Sequence, residues 1–209
     1  MASESEICKD WLKEFPLLKR FKSGRKLLRL EGPIVLGIEL EKFISKEYRP
    51  KFVALNLLSN FPVFGISRTL ATKRLPQLSI AYSKHESAFL EAVAIMNDNF
   101  PFLSGPIINQ LLVETYRSEI KLVLEEGASP LAVWFALIQL LKFFGQSGEA
   151  QTERAKLEDY VETLPSSSLS IYGDFNSLLS RELDAPTDKL ERRRRINITK
   201  GGWDILPSA

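Results

Sequence analysis

The feature that most constrains the fold of this chain is an alternation of apolar residues in its N-terminal half. From Ile34 to Leu40 every second residue is a large aliphatic one, and glutamates take the intervening positions at the far end. A period of two is typical of a β-strand with one buried face. A weaker alternation precedes the turn signal Gly32-Pro33, and another apolar run covers residues 52–58. Residues 26–58 therefore predict antiparallel β-structure.

Gly37 interrupts the strongest strand and allows two interpretations. An isolated glycine within a strand marks either a bulge or a close approach of two backbones, or it is simply a position where a small side chain is tolerated. We favour the second interpretation, because isolated strand glycines often lack a special role.

The apolar period lengthens to about three and a half residues after Ser83, which is typical of helices. Ser3 and Ser83 are each followed three residues later by glutamate, a pattern that predicts a capping box at two helix starts. The run 130–144 is apolar nearly all round and predicts a buried central helix. We predict helices over residues 3–14, 83–99, 104–126, 130–144, 149–164 and 173–183.

The predicted fold class is α+β. We expect a small antiparallel sheet of three to four strands over residues 27–82, packed with an N-terminal helix and a C-terminal helical half of four to five helices. Residues 1–183 are interpreted as a single domain, with a helix-plus-sheet half over 1–83 and a helical half over 84–183. Residues 184–209 are polar and basic with few apolar anchors, so we predict a basic C-terminal tail.

Charge is distributed unevenly along the 209 residues. Residues 1–83 carry 15 Lys or Arg against 8 Asp or Glu, a difference of +7, and residues 84–183 carry 7 against 14, a difference of −7. Such polarity fits two faces that attract each other within one fold, or a basic face offered to an acidic partner. No apolar run is long enough for a membrane span and the first residues do not form a secretory signal, so we expect a soluble, cytoplasmic protein without membrane contact.

Residues suited to catalysis or metal binding are sparse. His85 is the single histidine and lies in the first turn of a predicted helix, where a side chain usually faces solvent. Cys8 is the single cysteine, and we expect it to be a buried thiol. One His and one Cys cannot build the usual zinc site, and no phosphate-binding or nucleophile motif is present. We predict no catalytic residue, no cofactor and no metal.

Two basic segments and the last apolar residues are the candidate binding elements. Arg192, Arg193, Arg194 and Arg195 form a run suited to an acidic partner, although a solvated run or a last strand explains it equally well. Arg20 and Arg25 lie in a second basic segment, with few aromatic residues to accompany it. Trp203 and the aliphatic pair that follows it either dock back on the domain, which we favour, or bind a partner.

The resulting hypothesis is a non-catalytic protein-binding or regulatory protein that acts through a charge-polarised surface. The alternative is a nucleic-acid-binding protein that uses the basic segments 19–29 and 192–195. An enzyme of unknown class, with carboxylates and His85 in a cleft, is a second alternative.

Overall fold

The computed structural model describes residues 2–22, 24–42, 46–60, 64–72, 77–165 and 174–207. The predicted α+β class, with an antiparallel sheet, an N-terminal helix and a helical C-terminal half, is confirmed. Within the described residues, none of the helices combines the length and the apolar character needed to cross a bilayer.

The sheet has the strand order β1-β2-β3-β4-β5, and β6 pairs with β4. Its strands are β1 (Lys19–Arg20), β2 (Lys26–Glu31), β3 (Ile34–Lys42), β4 (Glu47–Asn56), β5 (Phe64–Thr69) and β6 (Ile80–Ala81). Where three to four strands are expected, the described sheet has six. Two of them, β1 and β6, contain two residues each and are too short to show an alternation.

The pairing of β2 with β3 gives Gly37 a role that the sequence does not reveal. Leu28 lies opposite Gly37 in the antiparallel ladder. A Cβ atom on Gly37 would lie 2.0 Å from the carbonyl oxygen of Leu27 and 2.9 Å from the Cα of Leu28. The backbone of Gly37 has φ +156, outside the range that residues with side chains favour. The interpretation that a small residue is merely tolerated here is therefore wrong, because the backbones approach too closely for any side chain.

The helices are bounded by local signals that the sequence predicts in part. They are α1 (Glu4–Glu14), α2 (His85–Asn99), α3 (Asn109–Glu125), α4 (Leu131–Phe143), α5 (Ser147–Glu162), α6 (Phe175–Leu183) and α7 (Thr187–Gly201). The capping box of Ser3 and Glu6 is confirmed. The capping box predicted at Ser83 is wrong, since a 3-10 turn occupies Tyr82–Lys84 and α2 begins without a side-chain cap.

The described chain forms two compact units. The N-terminal unit comprises Met1–Leu55, Ile66–Ile108 and Gly202–Ala209, and the helical unit comprises Asn56–Gly65 and Asn109–Gly201. In the N-terminal unit, α1, α2 and the sheet bury a core that includes Trp11, Phe15 and Phe52. In the helical unit, α4 packs against α3 and α5 and is buried over most of its surface, as its apolar sequence predicts.

Residues 184–209, for which a basic tail is expected, contain α7. Its inward face is formed by Leu190, Arg193 and Asn197, which are buried and follow a helical spacing of three and four residues. Two of the three are polar, so hydropathy alone does not reveal the amphipathic pattern.

Candidate binding surface

The hairpin of β1 and β2 holds two of the predicted binding residues, Arg20 at the end of β1 and Arg25 in the loop, in one ion-pair cluster. Arg20 and Arg25 both approach the carboxylate of Glu4, at 4.0 and 3.7 Å. The Nε of Arg20 also donates to the carbonyl of Gly24 at 2.7 Å, which ties the side chain to its own loop. Lys22 adopts φ +47, a left-handed conformation that non-glycine residues rarely adopt. The two arginines of this hairpin are therefore held at Glu4, and the backbone is strained at Lys22.

Trp203 lies on this loop, although it is far away in sequence. Its ring stacks on Phe21 with 4.4 Å between the ring centroids and 28° between the planes. The ammonium of Lys22 lies 4.8 Å from the centre of the same Phe21 ring. Both rings are half-buried. A cation beside a stacked aromatic pair combines apolar contact area with positive charge, as at many protein interfaces.

An open cleft of about 440 Å³ lies between this loop and β3. Four cationic side chains and two carboxylates contribute to its walls. The lining consists of Phe21, Lys22, Gly24, Arg25, Lys26, Glu39, Leu40, Glu41 and Lys42. Lys26 approaches Glu39 at 3.6 Å, and Glu41 pairs with Lys51 at 2.7 Å. The lining carries a formal excess of two positive charges, so the electrostatic potential in the cleft is positive.

Phe21 and Lys22 lie within the basic segment 19–29 that the sequence analysis selects, but they are not among its candidate binding residues, whereas Lys42 lies outside that segment. Phe21 stands between two basic residues, Arg20 and Lys22, and an aromatic within a basic segment is a usable signal for a binding surface. Lys42 carries no such signal, because its position beside the loop depends on the pairing of β2 with β3.

The last described residues dock on the N-terminal unit. The amide of Leu30 donates to the carbonyl of Pro207 at 2.9 Å. The ammonium of Lys19 donates to the carbonyl of Ile205 at 3.2 Å. Leu206 is buried. The segment therefore docks back on its own chain, which is the interpretation that we favour from the sequence.

The four consecutive arginines lie on α7 in the helical unit and have different environments. Arg192 and Arg195 are exposed, Arg194 is half-buried, and Arg193 is only 6% exposed. Arg194 and Arg195 both pair with Glu191, each at 3.1 Å. The run is helical, which differs from the tail or strand that the sequence suggests. Because consecutive helical residues point about 100° apart, the four side chains do not form one continuous basic patch.

Arg193 belongs to a buried polar network within the helical unit. Its guanidinium donates to the carbonyls of Arg181 and Leu58 at 2.8 and 3.4 Å and lies 3.7 Å from the carboxylate of Glu182. Burial raises the pKa of Glu182, but hydrogen bonds from Asn60 and the charge of Arg193 outweigh it and hold the pKa below its usual value. This arginine therefore stabilises the fold and is not available to a partner.

Arg29 is buried in the N-terminal basic segment, as Arg193 is in the C-terminal one. Its side chain is fully buried, and its Nη2 donates to the carbonyls of Phe102 and Gly105 at 2.9 and 2.8 Å. Its Nε lies 3.3 Å from the carboxylate of Glu31. Each basic segment thus contains one arginine that supports the interior of its unit.

His85 does not face solvent, contrary to the expectation for its position. The side chain is 2% exposed, with Nδ1 2.8 Å from the hydroxyl of Tyr48 and Nε2 3.3 Å from Oδ2 of Asp10. The indole of Trp11 donates to the same hydroxyl at 3.4 Å. A chain in which Trp11 donates to Tyr48, Tyr48 to Nδ1, and Nε2 to Asp10 satisfies every group. This arrangement is that of a histidine that stabilises the interior.

An open cleft of about 430 Å³ borders this histidine and includes acidic side chains. Its lining consists of Ala2, Glu6, Lys9, Asp10, Lys13, His85 and Glu86. A hydrogen bond from Lys13 is the main cause of the lowered pKa of Asp10, and the hydrogen bond with His85 adds to it. Asp10 is therefore ionised and accepts hydrogen bonds from Lys13 and His85. Both ring nitrogens of His85 are within hydrogen-bond distance of side chains.

The hydroxyl of Tyr48 is expected to be the most sensitive atom of this network. Tyr48→Phe leaves the indole N–H of Trp11 and Nδ1 of His85 without their partner, so we expect the free energy of unfolding to fall by about 2 kcal/mol. Urea denaturation of the full chain measures this value. Tyr160→Phe is the control, because Tyr160 is half-buried with no side-chain hydrogen bond among the described contacts, and it should change stability by less than about 0.5 kcal/mol. Equal effects of the two substitutions would show that the hydroxyl does not stabilise the fold.

Cys8 is buried, as predicted, and burial raises the pKa of its thiol. Across the part of the chain that the structure describes, no three or more His, Cys, Asp or Glu side chains are grouped to hold a metal ion. Comparison with family models, with curated proteins and with solved structures found no match to this chain.

Proposed function

We propose that the chain is a non-catalytic binding protein that acts in the cytoplasm and holds an acidic segment of another protein in the cleft between the β1–β2 loop and β3. One observation carries this proposal. Trp203 and the ammonium of Lys22 both contact the ring of Phe21, which lines a cleft with an excess of positive charge. Aromatic residues and arginine are enriched where proteins bind one another, and opposite charge guides the encounter.

The alternative of nucleic-acid binding has less support. Arg29 and Arg193 are buried, which removes one arginine from each basic segment. Phe21 and Trp203 stack on each other, whereas a single-strand binding surface offers its rings to the bases. An enzyme of unknown class has less support still, because both ring nitrogens of His85 are engaged by Tyr48 and Asp10.

The test is a quantitative capture of proteins from lysate on the full chain and on a double variant, Lys22→Glu with Lys42→Glu. Both lysines line the cleft and are exposed, so their reversal changes the charge of the lining by four units and leaves the core intact. We expect an acidic protein to be retained by the wild-type chain and its dissociation constant to rise at least about 10-fold for the variant. Retention should also weaken with salt.

The matched control is Lys121→Glu with Lys189→Glu, which reverses two exposed lysines of the helical unit and changes the charge of the chain by the same four units. It should retain the same protein as the wild-type chain. Equal retention by the double variant would contradict the proposed site. A mobility shift of a single-stranded or duplex oligonucleotide at low salt, lost in the double variant and steeply dependent on salt, would support the nucleic-acid alternative instead.

A further inference from the structure

Glu4 brings a carboxylate from the first turn of α1 to the arginines of the β1–β2 hairpin. Its Oε1 lies 3.7 Å from Nε of Arg25 and 4.0 Å from Nη2 of Arg20. Arg25 is among the residues that line the basic cleft, and Glu4 is not. Arg25 therefore pairs with an internal carboxylate and also borders the space that an acidic ligand would occupy.

The two contacts of Glu4 are too long to fix the orientation of the arginines. A carboxylate that orients an arginine accepts short hydrogen bonds, typically of about 2.7–2.9 Å. Both distances from Glu4 exceed this range. Arg20 is oriented by its own loop, since its Nε donates to the carbonyl of Gly24 at 2.7 Å. Glu4 therefore acts on Arg25 mainly through its negative charge.

The guanidinium of Arg25 keeps hydrogen-bonding capacity in this arrangement. Within the part of the chain that the structure describes, its Nη1 is buried without a hydrogen-bond partner. The side chain as a whole is 37% exposed. A carboxylate in the cleft that came within hydrogen-bond distance of this guanidinium would gain a charge-assisted bond, which Glu4 does not form. The same carboxylate would be repelled by the charge of Glu4.

We infer that Glu4 is an internal competitor that limits the affinity of the cleft for an acidic peptide, and that Arg25 is the residue for which the two carboxylates compete. The inference rests on the proposed function, because it concerns the same cleft. It adds the regulation of that cleft by a residue outside its lining.

A labelled hexaglutamate peptide, titrated against the full chain at an ionic strength of about 0.15 M, tests the inference. Glu4→Gln keeps the size of the side chain and removes its charge. We expect the peptide to bind this variant about 3-fold more tightly than the wild-type chain, as the loss of one partly exposed ion pair would allow. A residue that only orients Arg25 would give the opposite result, since its loss would weaken binding.

Glu14→Gln is the matched control. It makes the same change of charge at an exposed residue of the same helix, about 15 Å farther along the helix axis than Glu4. This distance exceeds the Debye length of about 8 Å at this ionic strength. The control variant should therefore bind the peptide as the wild-type chain does.

Arg25→Gln tests whether the competition takes place at this arginine. In the Arg25→Gln background the contested guanidinium is absent, so Glu4→Gln should no longer tighten binding by about 3-fold. Tightening of the same size in both backgrounds would contradict the role of Arg25.

The variant with Lys22→Glu and Lys42→Glu separates the two proposals. Loss of peptide binding in this variant would show that the peptide occupies the cleft. If binding depends on these lysines but Glu4→Gln leaves it unchanged or weakens it, the inference is overturned and the proposed site stands. Binding to none of the chains, or equal binding by the lysine variant, would overturn both.

Discussion

Gly37→Ala is expected to lower the free energy of unfolding by about 4 kcal/mol, a loss large enough to unfold much of the N-terminal unit. The added methyl group would lie 2.0 Å from the carbonyl oxygen of Leu27, which is backbone and cannot move aside as a side chain would. Accommodation requires β2 and β3 to separate, and this breaks the ladder that carries the β1–β2 loop. Urea denaturation followed by circular dichroism and tryptophan fluorescence measures the loss.

Gly148→Ala is the matched control for this experiment. Gly148 lies in the first turn of α5, a Cβ added there meets nothing within 4 Å, and no positive φ is present. We therefore expect this variant to be as stable as the wild-type chain or slightly more stable, because alanine favours helices over glycine. A Gly37→Ala chain as stable as Gly148→Ala would show that the two strands do not approach as closely as described.

Arg193→Ala is expected to lower the free energy of unfolding by about 3 kcal/mol, because it removes the buried cation that lies 3.7 Å from the carboxylate of Glu182 and leaves the more exposed Arg181, at 3.4 Å, as its cationic partner. The substitution also removes the donors that the carbonyls of Arg181 and Leu58 accept. The hydrogen bonds from Asn197 to the carbonyls of Leu57 and Ser59 remain in this variant, so the loss should fall on the buried network around Glu182 and on the stability of the helical unit.

Arg192→Ala supplies a control from the adjacent position. Arg192 is exposed, so its removal should change stability by less than about 0.5 kcal/mol. The two variants remove the same side chain from neighbouring residues of one helix, and chemical denaturation compares them directly. Similar losses for both would mean that Arg193 is not the buried member of the run.

The local part of the fold is predictable from the sequence because its signals lie within a few residues. The alternation from Ile34 to Leu40 identifies the central strand, and the spacing of Ser3 and Glu6 identifies the start of α1. Gly37 carries no comparable signal, since its requirement for glycine arises from a backbone on another strand.

The candidate surface is less predictable because it joins residues that are far apart in sequence. Phe21 contacts Trp203, and His85 hydrogen-bonds to Asp10, only in the completed fold. No local sequence pattern predicts either contact. The environments of Arg192 to Arg195 are unpredictable from the sequence for a different reason. Four identical residues have no hydropathy period, so the sequence does not reveal that Arg193 alone among them is buried.

Hydrogen exchange of the full chain, with and without the protein that it captures, tests the central claim most directly. If the basic cleft of the N-terminal unit is the binding surface, the amides of the β1–β2 loop and of the end of β3 should exchange more slowly in the complex. The exposed acidic face of α5, which includes Glu158 and Asp159, should be unchanged. Protection confined to α5, with the cleft unaffected, would contradict the account.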